Sequence, residues 1–160
     1  MTQVLSSFMH GCPGAVSRSM DNLIVSLRNA EEVPILPGAP LFLAEDGEGV
    51  VPAGRDADPA RFVGVAVRNP ARTPDVYGAS VAPYGPGDPV DVLVRGSVVV
   101  RLPNETCEPG GKVYIALVDG SFTAQAAEDE TIELAGCSWR GLSGMADPCA
   151  ELVIRVRNLI

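Results

Sequence analysis

From Val33 onward the chain alternates short apolar runs with turn residues. The runs are APLFLA (39–44), RFVGVAV (61–67), PVDVLV (89–94), GSVVVRL (96–102), KVYIALV (112–118), TIELAG (131–136) and AELVIRVRNLI (150–160). Between them stand LPG (36–38), EDGEG (45–49), YGPGD (84–88), EPGG (108–111), VDG (118–120) and GLSG (141–144). Val, Ile and Leu at every second position predict half-buried antiparallel strands. In ELVIRVR, Leu152, Ile154 and Val156 point one way, and Val153, Arg155 and Arg157 the other. VLVRGSVVVR predicts two strands meeting at Arg95-Gly96, through a tight turn or a bulge.

Residues 1–33 have no such period. LIVSL (23–27) reads as a strand, whereas DNLIVSLRNAEE reads as a short helix capped by Asp21. The division expected is therefore an N-terminal arm, 1–33, holding one strand or short helix, and a single β domain, 34–160. On that division, removing residues 1–30 leaves a folded β domain. A weak repeat runs through the β domain. PGAPLFLA (37–44) matches PGGKVYIA (109–116), and each is followed by Asp-Gly. At the same offset of 72 residues FVGVAVR (62–68) matches LAGCSWR (134–140), which predicts two similar halves closing one barrel or sandwich. Trp139 falls opposite Val67 and is expected in the core.

Composition agrees with strands. Gly and Pro together make 31 of 160 residues, too many for a helix bundle because both break helices. At 46% hydrophobic and 20% charged, the chain is globular, and no run reaches the ~20 apolar residues of a membrane span. The net charge of −8 argues against coating nucleic acid, where phosphate contacts demand a basic face. Eleven of the twelve basic residues are Arg, which forms forked bonds to carboxylates at protein interfaces.

Candidate chemistry is sparse. The only His is His10, and Cys12, Cys107, Cys137 and Cys149 have no CxxC spacing, so neither a metal site nor a His-assisted nucleophile is expected. No cofactor is implied, and free thiols fit synthesis in a reducing cytoplasm. The acids cluster in turns (Glu45-Asp46, Asp56-Ala57-Asp58, Glu128-Asp129-Glu130), where solvent is the ordinary partner. Ser143 in GLSGMAD lacks the second glycine of a nucleophile elbow. The long 69–88 stretch, with Tyr77 and Tyr84 among Pro and Gly, suits a contact loop or a loop pinned by its own tyrosine. A binding or structural role is expected rather than catalysis. One alternative is a virion-surface receptor- or carbohydrate-binding β module, which needs exposed aromatics. Another is a small barrel enzyme, which needs a buried carboxylate of raised pKa.

The segment 13–43 resembles the opening of the structural cement proteins of tailed-bacteriophage capsids. The resemblance rests on Pro13-Gly14, Val25-Ser26 with Arg28, and Ile35 to Gly38. It continues through FVGVAVR (62–68), the Gly-Pro loop at 77–88, VDVLVRGSVVVR (90–101), PGGKVYIALVDGSFTA (109–124) and the Val/Arg-alternating C-terminal strand. It implies an antiparallel β-sandwich of jelly-roll type with an extended N-terminal arm. It implies a non-enzymatic protein on the outer surface of the virion capsid, made in the host cytoplasm. That protein clamps adjacent major capsid subunits against genome pressure, as a homodimer rather than a homotrimer, without nucleic acid or membrane. The expected capsid contacts are Phe8, Met9, Met20, Leu23 and Arg28 of the arm, then Arg72, Tyr77 and Tyr84.

Overall fold

The computed structural model describes residues 11–72, 82–141 and 148–156, with the side chains of 18–20 left aside. It is mainly β. In chain order the strands are β1 (Val16–Asn29), β2 (Pro40–Leu43), β3 (Gly49–Pro52), β4 (Phe62–Ala66), β5 (Pro89–Arg101), β6 (Tyr114–Ala116), β7 (Phe122–Thr123), β8 (Thr131–Glu133), β9 (Cys137–Trp139) and β10 (Cys149–Ile154). One turn of 3-10 helix, Pro59–Arg61, is capped by the Asp58 carboxylate, which accepts from Ala60 N.

The first five strands close a ring by pairing. β1 runs parallel to β3 (Arg28↔Gly49), β3 antiparallel to β2, β2 to β4, β4 to β5, and β5 antiparallel back to β1. Alternation sorts their side chains. Leu41, Val50, Val63, Ala66, Val90, Val92 and Val94 fill the ring with Ile35 and Tyr84, and Leu23, Val25 and Leu27 of β1 pack on them. Phe42, Phe62, Val65 and Leu93 point outward into a second cluster with Val98, Val100, Leu102, Val113, Ile115, Phe122, Leu134, Trp139, Leu152 and Ile154. β5 thus stands between two cores. This explains why its 13 residues read as a nearly unbroken apolar run instead of an alternation.

The sequence repeat has a structural counterpart. Ala39 N donates to Leu36 O (3.2 Å) and Gly111 N to Glu108 O (3.0 Å), 72 residues on. Ala44 N donates to Gly49 O (2.8 Å) and Ala116 N to Ser121 O (2.9 Å), closing equivalent hairpins. Ala66 N donates to Ala39 O, but the second copy uses Trp139 N to Gly111 O, one residue beyond the offset. Gly136 in β8–β9 has φ +76°, a conformation open to glycine that absorbs the extra residue. The second unit has its own first strand. The C-terminal half of β5 leads through 102–108 into β6 and pairs antiparallel with β10, as β1 leads through 30–39 into β2 and pairs antiparallel with β5. A second ring runs from the C-terminal half of β5 through β10 and β9 to residues 110–111, β6 and β7, and in place of the β1–β3 contact the Glu105 carboxylate closes it by accepting from Thr123 Oγ1 (2.8 Å) and Ala124 N (2.7 Å).

Residues 21–29 are strand rather than helix, because Leu23, Val25 and Leu27 alternate with Ile24, Ser26 and Arg28 and the ring buries the first set. Residues 16–29 are also a wall of the first ring. The two rings share β5, which pairs with β1 in the first and with β10 in the second.

Candidate functional site

Two Pro-Gly turns position the start of the chain. Gly14 (φ +81°) and Gly38 (φ +87°) lie back to back. A Cβ on Gly14 would sit 2.6 Å from Pro37 Cβ, and one on Gly38 2.7 Å from Pro13 Cβ. Only glycine permits both the left-handed backbone and this approach. Gly14 N donates to Val99 O and Arg68 N to Gly14 O, both at 2.8 Å, while Gly38 N donates to Ala66 O at 2.7 Å. The Pro13-Gly14 and Ile35–Gly38 segments are therefore one clasp that ties the chain before β1 to the ends of β4 and β5.

The base of the 69–88 loop is a second built cluster. Tyr84 is 1% exposed, and its hydroxyl donates to Val67 O at 2.6 Å. The Arg72 guanidinium lies 4.7 Å over its ring and donates to Asp88 Oδ2 (2.7 Å) and Pro83 O (3.2 Å). Arg72 holds the Asp88 carboxyl below its usual range, with help from the Gly85 N–H. Burial, with the nearby Asp91 charge, pushes the Tyr84 phenol above its usual value. Asn29 is 1% exposed at the end of β1. Its amide donates to Val33 O (3.0 Å), Tyr84 O (3.3 Å) and Gly85 O (3.1 Å), and its carbonyl accepts from Glu31 N (2.9 Å). One side chain thus joins β1, the loop before β2 and the 84–88 turn.

Between these clusters the solvent face of β1 presents Ile24, 45% exposed, with Ser26 and Arg28. Arg28 reaches Asp46 of the β2–β3 turn at 3.5 Å.

Among the described residues, no arrangement of side chains is set up for acid–base or nucleophilic chemistry. Burial pushes the Cys137 thiol up to about 12, which keeps it protonated and unreactive near neutrality. Among the described residues, no three or more His, Cys, Asp or Glu come together as a metal site. Phe42, Phe62, Tyr84, Phe122 and Trp139 are all 4% exposed or less, and Tyr114 is half-buried, so the described residues offer no aromatic platform for a sugar.

Residues 2–155 match the family described as "Structural cement protein (E217 gp24/Pam3 gp6)". The chain belongs to the phage structural cement protein family. Its role is structural and non-enzymatic, and its place is the virion capsid. A chain in the solved capsid of Myoviridae phage XM1 shares the cement protein's fold. The TM-score is 0.71 and the identity 15%, over 96% of this chain and 96% of that one. No curated protein sequence matches it.

The contact residues expected from sequence fall in different places on the cement protein. Phe8, Met9 and Tyr77 lie outside the described residues, as does the Met20 side chain. Leu23 is half-buried against the first core, while Arg28 is on the solvent face of β1. Tyr84 is core, and Arg72 covers its ring. Sequence reading missed Asn29. Its signal was slight: a polar residue where the β1 alternation ends.

Proposed function

We propose that the cement protein binds the outer surface of the head across the boundaries between major capsid subunits, as a homodimer, and holds those subunits together against the pressure of the packaged genome. The family match over residues 2–155 carries this reading. Two physical arguments support it. A chain of net charge −8 is repelled by packaged DNA, which favours the outer face. Two rings sharing one strand make a stiff body, and a stiff body holding two sites gains from effective concentration what each contact lacks in area. The proposed contacts are Phe8 and Met9 ahead of β1, Met20 within it, Arg28 with its neighbour Ile24 on the face of β1, and Tyr77 of the 69–88 stretch.

The test is co-sedimentation of the purified protein with undecorated heads, followed by heating. Saturable binding at a fixed ratio to capsid subunits, together with a higher rupture temperature, is the expected result. Saturable binding without added thermal stability would leave a decoration protein and remove the clamp. Absence of binding would remove both.

A further inference from the structure

The two rings treat equivalent strand edges differently. In the second ring the C-terminal half of β5 pairs with β10 along one edge. Along its other edge it receives an extended segment from elsewhere in the chain. Val99 N donates to Ala15 O (2.9 Å), Val99 O accepts from Gly14 N (2.8 Å), and β1 continues the contact at Val16↔Val98. In the first ring β1 takes the place of that half-strand. It pairs with β5 along one edge through Leu23 to Arg28. Its other edge meets β3 only at Arg28 and Asn29. Among the described residues nothing pairs with that edge ahead of Arg28.

The direction of the free groups follows from the ladder. Val67 N donates to Asp91 O (2.8 Å), so the backbone groups of Asp91 face β4. Ser26 stands opposite Asp91 across β1–β5. In an antiparallel pair a residue opposite such a position turns its own N–H and C=O away from the partner strand. The same parity turns Ile24, opposite Leu93, outward. The side chains of Ser26 and Arg28 are exposed and that of Ile24 is 45% exposed, with neither proline nor lysine in 22–28 to blunt the edge.

We infer that the open edge of β1 at Ile24 to Ser26 takes up an extended segment of the major capsid subunit by strand addition, as the equivalent edge of β5 takes up residues 14–18. The inference rests on the capsid-binding reading above and specifies its contact. Main-chain bonds from Ile24 and Ser26 supply the pairing, and the Ile24 side chain packs against alternate residues of the added strand.

The test compares Ser26→Pro and Ser26→Ala with the full-length wild-type protein on undecorated heads. Proline removes one outward N–H, breaks no β1–β5 bond and is tolerated on an edge. Ser26→Pro is expected to bind at least about tenfold more weakly, with an unchanged melting transition, and Ser26→Ala to bind as wild type. Equal binding by Ser26→Pro overturns the inference. So does equal weakening by Ser26→Ala, which would make the side chain the contact. A change in self-association on sedimentation with head binding intact also overturns it, because the edge would then join two copies. Absence of wild-type binding instead removes the capsid reading. Should Ser26→Pro not fold, hydrogen exchange on wild type decides. The Ile24 and Ser26 amides should slow at least about tenfold on heads, and unchanged exchange overturns the inference.

Discussion

Asn29 shows how much one buried side chain can govern. Its amide donates to three backbone carbonyls and its oxygen accepts from Glu31 N, tying β1 to the loop before β2 and to the 84–88 turn. Asn29→Asp keeps the shape but turns a carboxylate toward the carbonyls of Val33, Tyr84 and Gly85. It should cost about 3 kcal/mol or more at neutral pH, read by urea denaturation, because unpaired buried charge is among the costliest changes known. Tyr84 gives a pH signature. Its folded pKa is raised above the ordinary 10.0 by burial and by Asp91. Below pH about 10 both folded and unfolded forms hold the proton, and the contribution to stability is complete. As pH rises from there toward the folded value, the unfolded chain loses its proton first and stability falls. Tyr84→Phe should lower stability by about 1–3 kcal/mol at pH 7, through the orphaned Val67 carbonyl, and should flatten the alkaline decline. An alkaline limb as steep as wild type would assign that decline to other groups.

At the scale of elements, β1 and the Pro-Gly clasp are the informative pieces. β1 supplies Leu23, Val25 and Leu27 to the first core and closes its ring against β3 and β5. Deleting residues 1–30 should therefore abolish cooperative unfolding. Deleting 1–10 leaves every bond of the clasp and ring in place and should keep the transition within a few degrees by circular dichroism. Gly14→Ala places a Cβ 2.8 Å from Arg68 N on a backbone of φ +81°, so it should destabilise by about 2 kcal/mol or more. The clasp was visible in sequence as two Pro-Gly pairs 24 residues apart. Their contact with one another was not, because it depends on how β4 and β5 end.

For the whole molecule, the shared β5 has a thermodynamic consequence. Val92 faces the first core and Leu93 the second, from adjacent positions on one strand. Neither ring can unfold without exposing a wall of the other. Calorimetry should show a single two-state transition, and Val92→Ala and Leu152→Ala should each shift that one peak. Leu152→Ala should cost about 2–5 kcal/mol, as core truncations of that size do. Two resolved peaks, each moved by one of the substitutions, would instead make the rings independent units.

The alternating Val, Ile and Leu positions, the Gly-Pro punctuation and the 72-residue repeat determined by themselves that the chain is mainly β and built of two related halves. They did so because side-chain period and turn chemistry are local properties. The same text placed Trp139 in the core and excluded His-based catalysis. Tertiary structure decided the rest. LIVSL could be strand or helix until the ring offered a face for Leu23, Val25 and Leu27 to bury. Tyr84 could be contact or core until Val67 O came within reach of its hydroxyl. Asn29 acquired its role only when the loop before β2 and the 84–88 turn converged on it. The edge of β1 that no described residue pairs is likewise invisible in sequence, since an edge is defined by which strands lie beside it.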